Sequence, residues 1–389
     1  MSARLLRWIC TGAALSALCT PAPPAHAAPA APAAPRPEGR TLSALLTDLQ
    51  QRYRAAEEAT ETYNATEEKL KEQRAKAADL NRKLIQARAS LRDSRGDAGR
   101  FARQQYQGAT GLSPYVRLLL ARDPQRALDQ SHVIQRVAAG RAAAIERLTG
   151  GEKRARELAD AARRALAAQS ALAARQKKQR DEVGGRLKEV HELLAALTPD
   201  QLAALRAAED AGTARAQEEF VASGALGGSP ATRAPSPRGD KALDFAVRQI
   251  GRPYEWGTAG PDTYDCSGLT SKAWRHAGRA IPRTSQEQWA KLRRVPLSKL
   301  RPGDLVVYFP KATHVAMYLG DGRVVHAPRP GARVKVSPIA ANPVLGAVRP
   351  DPKSRPLSGY TPPELPEGAT SGSDLGYGGD QAPDATDSR

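Results

Sequence analysis

Cysteine, aromatic side chains and acidic charge are all scarce in this chain of 389 residues. Three cysteines cannot build a disulfide scaffold, which needs several pairs in a short chain. Aromatics are only 5% of the residues, so a large core is not spread evenly along the sequence. No apolar run reaches the roughly 18 residues that a membrane-spanning helix requires. Acids are outnumbered, 41 Asp and Glu against 59 Lys and Arg, which gives a formal net charge of +18. That balance invites polyanionic partners.

What is present begins with an export pattern. Arg4 and Arg7 precede an apolar run from Trp8 to Cys19, and Ala25-His26-Ala27 fits a small-x-small cleavage site before Ala28. Residues 1–27 are therefore expected to be a signal peptide, and the protein to be secreted, extracellular and cell-wall associated. Bulky Leu18 before Cys19 argues against a lipid anchor. For an exported chain, anionic wall polymers suit the positive charge better than nucleic acid, for which no binding is expected. Processing would leave one thiol, Cys266. In an oxidising exterior an odd cysteine is an intermolecular bridge, an inert buried thiol or a reactive one.

Residues 28–40 form a Pro/Ala-rich leader that cannot build a core. From residue 41 to 220 the sequence is helix-forming and charged. Positions 42, 49, 56, 63, 70, 77, 84 and 91 carry Leu, Leu, Ala, Tyr, Leu, Ala, Leu and Leu, an apolar row at a spacing of seven. The second seam is poorer: Leu46 and Tyr53 give way to Thr60, Glu67, Arg74 and Asn81. This predicts an alanine-rich coiled coil that needs a partner helix, supplied by Arg141 to Leu197, with Gly150-Gly151 and Gly184-Gly185 as weak points. The two helices would form an antiparallel hairpin with an apolar tip at Val116 to Leu120. A passive spacer is the plainer reading of such a region. Residues 221–240 are expected to be a flexible linker, 241–350 a globular domain and 351–389 a disordered tail.

The globular segment holds Cys266 with His276, His314 and His326. "DCSGLTSKAWRHAG" has the marks of a helix start, with Asp265 and Ser267 as capping types and Gly278 ending the run. Cys266 would then sit at the positive end of a helix dipole, where a thiol pKa falls. "HVAMYL" alternates, followed by the turn signal "GDG" and the returning strand "RVVHA". A three-residue loop puts His314 and His326 on one face, and a two-residue loop puts them on opposite faces. A thiol, a base and a group that orients the base form a nucleophilic set. A zinc site from the same three residues would have too few ligands and no CxxC pair. His132, His191 and His276 fit ordinary helix positions.

"YEWGTAGPDTYDCSGL", "IPRTSQEQW", "LRPGDLVVYF", "HVAMYLGDGRVVHAP" and "GARVKVSPI" resemble, in order and spacing, the NlpC/P60 cysteine peptidases, which are papain-like cell-wall hydrolases. The resemblance covers about 110 of the 389 residues. It departs at "WGTAG", where Thr258 stands in place of the usual second glycine. It implies an α+β papain-like catalytic domain preceded by the all-α hairpin. It also implies Cys266 as nucleophile, His314 as base and His326 as orienting group. Tyr254 would lie near the reacting carbonyl, with the oxyanion held by the Cys266 backbone N–H and Tyr254 as a second candidate donor. Asp265, Ser267, Arg283 and Ser285 are candidates for holding charged groups of the substrate, against plain capping or turn roles. The implied reaction is cleavage of peptidoglycan stem peptides, most often between D-glutamate and the following diamino acid, with no metal or cofactor. A septal membrane complex of ABC-transporter type is the partner implied for the hairpin. A non-catalytic wall-binding scaffold, and amidase or acyl transfer by the same thiol, remain as alternatives.

Overall fold

In the computed structural model, residues 41–107, 116, 124–227 and 233–372 are described. The expectations for residues 1–40 and for the tip beyond Val116 lie outside these. Val116 itself is exposed.

Helix α1 spans Leu42–Gln107 and α2 spans Pro124–Ala195. They run antiparallel: Arg52 Nη1 lies 3.5 Å from Glu189 Oε2, Gln73 Nε2 donates to the Ala165 carbonyl at 3.0 Å, and Arg95 Nη2 meets Glu152 Oε1 at 2.9 Å. α2 passes without a break through Gly150-Gly151 and Gly184-Gly185, which were expected to be weak points. Each glycine costs about 1 kcal/mol against alanine, and packing along α1 offsets this. At Gly151 a Cβ would meet Leu91 Cδ1 at 3.5 Å, ordinary van der Waals contact, so packing does not require a glycine there.

A third helix, α3 (Pro199–Ala222), starts with a capping box between Thr198 and Gln201. Leu205 joins Leu45, Leu49, Tyr53, Val190 and Leu197 in a small core at the hairpin base. Further along, Gln217 donates to the Gly322 carbonyl at 3.1 Å and accepts from the Ala340 N–H at 3.1 Å, and Phe220 packs on the sheet. The segment expected to be a linker is thus helical at both ends. Residues 221–222 complete α3, and α4 (Pro237–Val247) begins inside it, capped by Ser236.

The remaining elements are α5 (Cys266–His276), α6 (Ser285–Lys291) and six strands: β1 (Arg293–Val295), β2 (Leu305–Tyr308), β3 (His314–Gly320), β4 (Arg323–His326), β5 (Lys335–Pro338) and β6 (Val344–Arg349). The strands form one sheet in the order β1-β6-β2-β3-β4-β5, antiparallel throughout. With the helices this is an α+β fold. Leu243 of α4 and Leu269 and Trp274 of α5 pack with Leu305, Val315 and Met317 on one face. Val306, Ala316, Tyr318, Val324 and Ile339 make the core on the other. Side chains alternate in parity along each strand, so one sheet serves two cores.

The β3–β4 connection differs from expectation. Gly320 pairs with Arg323, which leaves a two-residue turn, Asp321-Gly322, with positive φ at both positions. A register shift between Tyr318 and Gly320 restores the pairing Met317 opposite Val325. The bulge supplies the residue the loop lacks, so the two histidines still share a face.

The stretch expected to be a disordered tail is ordered over residues 351–372. Asp351 is buried and paired with Arg301, Ser236 Oγ bonds its carboxylate, and the Val336 N–H donates to the Ala369 carbonyl at 2.8 Å. Composition hid this, because a few specific bonds fix an otherwise polar, Pro-rich segment.

Candidate active site

Cys266 is the first residue of α5, and Asp265 is its N-cap, accepting from the Gly268 N–H at 2.6 Å. Gly268 is needed there: a Cβ would stand 2.1 Å from the Thr258 carbonyl oxygen. His314 opens β3 and His326 closes β4, and the turn brings His314 Nε2 to 2.9 Å from His326 Nδ1. His326 Nε2 is in turn 3.0 Å from Ser337 Oγ on β5. His276 stands apart, its ring 4.9 Å from that of Phe245.

The candidate substrate-binding residues converge as well. Arg283 Nη2 lies 2.7 Å from Asp265 Oδ2, and its Nη1 is 3.0 Å from Asp265 Oδ1 and 2.9 Å from Ser267 Oγ. Asp265 is thus both a cap and half of a bidentate pair. Tyr254 is buried, and burial, followed by the charge of Cys266, pushes its hydroxyl pKa well up.

The surprise is what lies over this site. α1 lays Glu57, Glu61 and Asn64 onto it from some 200 residues upstream in sequence. Glu61 Oε1 accepts from Ser267 Oγ at 2.7 Å and lies 3.7 Å from Cys266 Sγ, while its Oε2 accepts from the Ser285 N–H at 2.9 Å. Asn64 Nδ2 donates to Asp265 Oδ2 at 3.1 Å, and Glu57 Oε1 lies 3.5 Å from His314 Nδ1. Tyr63 stacks edge-on against Trp256 at 5.0 Å, and Lys311 Nζ pairs with Glu58 at 2.8 Å. Cys266 is left only 3% exposed.

This closure reverses one expectation. Burial, then Glu61, Asp265 and Glu57, push the Cys266 thiol pKa well up, where a helix N-terminus alone would lower it. Burial and then Asp265 also raise Glu61, to about 7. Burial opposes the charge of Arg283, but Asp265 and Glu61 outweigh it and hold the guanidinium protonated.

Residues 251–346 match the NlpC/P60 family profile. The chain carries an NlpC/P60 domain. The probable endopeptidase Cgl2188 of Corynebacterium glutamicum is 49% identical to this chain over 89 residues, 23% of this chain and 43% of that protein. The peptidoglycan endopeptidase RipA of Mycolicibacterium smegmatis is 38% identical over 123 residues, 27% of this chain and 25% of RipA. The chain thus spans less than half the length of either relative. The solved NlpC/p60 domain of the peptidoglycan hydrolase SagA is 33% identical, with 28% of this chain and 97% of that one covered and a TM-score of 0.27. Within the NlpC/P60 domain the motif residues were legible in the sequence. Glu57, Glu61, Asn64 and Ser337 were not. The nearest signal for the first three was the failing second seam of the coiled coil, whose Thr60 and Glu67 lie in the same stretch of α1, though it did not say which surface that stretch meets.

Proposed function

We propose that the protein is an exported, wall-associated peptidoglycan endopeptidase that cleaves stem peptides by a thiol mechanism, at the bond between D-glutamate and the diamino acid. The observation that carries the reading is the Cys266, His314, His326 and Ser337 arrangement at the start of α5, inside a domain whose relatives are named endopeptidases. Cys266 sulfur attacks the amide carbonyl as its proton passes to His314. The oxyanion is held by the Cys266 N–H, with Tyr254 as a second donor, and collapse expels the amine, which takes the proton from His314. Water then hydrolyses the thioester by the same base. His326 fixes the ring of His314, and Ser337 fixes His326. Arg283, Ser267, Ser285 and Asp265 bind charged groups of the peptide. With α1 seated there is no room for substrate, so the helical hairpin regulates the enzyme and must move. Anionic wall polymers and a septal membrane complex of ABC-transporter type are the partners this reading assigns to the basic charge and the hairpin.

The test is mass spectrometry of wall peptides after incubation with the protein and its variants. Release of fragments ending in D-glutamate supports the reading. Cys266→Ala and His314→Ala should each abolish it, while His326→Asn should keep part of it, because an amide can still orient His314. Substantial cleavage by Cys266→Ala would sink the thiol mechanism, and transfer products in place of hydrolysis would favour an acyltransferase.

A further inference from the structure

Helix α1 brings chemistry to the site along with cover. Glu57 and Glu61 are one helical turn apart, the spacing at which side chains on one face are neighbours. Glu61 Oε1 lies 3.7 Å from the thiol sulfur, and Glu57 Oε1 lies 3.5 Å from His314 Nδ1, a charge contact at a buried nitrogen that makes no hydrogen bond of its own. His314 Nε2 is occupied by His326, so Nδ1 is the nitrogen left to receive the thiol proton. An ionised carboxylate only accepts, and it favours a hydrogen on whichever nitrogen it faces.

We propose that docked α1 holds the two histidines in a non-productive tautomer: Glu57 keeps the hydrogen on His314 Nδ1, while Glu61 takes the thiol S–H as its donor. This rests on the reading of Cys266 as nucleophile and His314 as base. With Nδ1 protonated, His314 Nε2 accepts from His326 Nδ1–H, and His326 Nε2 accepts from the Ser337 hydroxyl. When α1 leaves, Nδ1 loses its carboxylate, and on this reading it accepts the thiol proton. The hydrogen of His314 then resides on Nε2, that of His326 on Nε2, and Ser337 becomes the acceptor. Neither ring changes its proton count, so the switch is a relocation along a chain of three residues. Other charges face the site as well: Asp265 adds to the negative field at the thiol although Arg283 pairs with it at 2.7 Å, Lys311 is engaged by Glu58, and Glu57 is the carboxylate set against His314 Nδ1. Tyr254 faces the thiol as a neutral hydroxyl, its pKa raised by burial. The raised thiol pKa, for which burial, Glu61, Asp265 and Glu57 are responsible, agrees with a thiol that keeps its proton while α1 is seated.

The experiment is ¹⁵N NMR of the histidine side chains in the full-length protein at neutral pH, assigned with single His→Gln variants. The wild type should carry the hydrogen on His314 Nδ1. Glu57→Ala should move it to Nε2, with His326 following. Glu57→Gln keeps the shape of the helix and can turn its amide N–H toward Nδ1, so it should give the same shift. An unchanged tautomer in either variant overturns the proposal. In parallel, iodoacetamide should label Cys266 at least about tenfold faster in Glu57→Ala/Glu61→Ala, the change expected for a thiol pKa lowered by one unit. An unchanged rate would also overturn it. Wall-peptide hydrolysis is scored separately: a tautomer shift without hydrolysis removes the endopeptidase reading alone, and hydrolysis without a shift removes this inference alone.

Discussion

Between Tyr53 and Thr66, helix α1 buries Tyr53, Ala56, Glu57, Thr60, Glu61, Asn64 and Thr66, whereas from Glu67 to Gln107 it buries only Leu70, Leu84 and Leu91. The far half is a thin apolar seam against α2. The near half has polar side chains where a seam would have leucine, and Glu61 and Asn64 each find a partner on the NlpC/P60 domain. Burying a carboxylate is costly unless it is bonded, so these contacts offset desolvation and leave little surplus. The near half is therefore specific but poised to separate, and the far half is nonspecific but continuous. A helix built to stay on its neighbour would bury apolar groups there.

That contrast breaks most sharply at Glu61. Glu61→Lys sets an ammonium against Arg283 and should cost docking about 3–5 kcal/mol, the scale for breaking a buried charged contact. Hydrogen exchange would show it as lost protection across residues 53–66 with residues 67–107 unchanged. If both halves open together, they are one cooperative unit and the comparison fails.

Acidity should act in the same place. Docking raises the Glu61 carboxyl from its ordinary 4.5 to about 7, so the docked state holds that proton more tightly than the released one. Docking is then fully favoured below about 4.5 and loses that advantage as pH rises through about 7, by up to roughly three-hundredfold in the equilibrium. Exchange of the near half should quicken over this window beyond the intrinsic pH dependence of amides, and Glu61→Gln should flatten the effect. Equal pH dependence in the two halves would assign it elsewhere.

Leu84→Ala probes the far half alone, where it should lower hairpin stability by about 2 kcal/mol and leave labelling of Cys266 unaltered. Faster labelling would mean that the seam holds the site shut. The smallest effect belongs to the exposed Lys311–Glu58 pair. Lys311→Ala should weaken docking by less than about 1 kcal/mol, and the difference should fade as salt is raised.

How legible these features were depended on whether local or distant partners decide them. Asp265 and Ser267 beside Cys266 and the alternation of β3 are local, and they announced the helix start and the histidine face. The turn after β3 was open between two lengths, and the bulge between Tyr318 and Gly320 lets the shorter one keep both histidines on one face, because two buried faces fix register more firmly than a loop does. The thiol pKa was read from its own helix, while its sign is set by Glu61 and Glu57 from another. Asp351 and Ala369 lie in sequence that composition assigns to disorder, and their order depends on Arg301 and Val336. Thr60 and Glu67 were visible as defects in a coiled coil, but nothing local identifies the surface that requires them.

The length of α1 turns the hairpin into a lever. From Glu61 to Gln107 the helix runs roughly 70 Å at about 1.5 Å per residue, and from Glu61 back to the small core around Leu45 it runs roughly 24 Å. Gln217 clamps α3 to the turn after β3, so the base is anchored while the tip end is free to be loaded. With the base as pivot, a sideways force at the far end of α1 is multiplied about fourfold where the carboxylates sit. Work done at the far end of the hairpin is thus delivered as a displacement of a few ångströms beside a thiol.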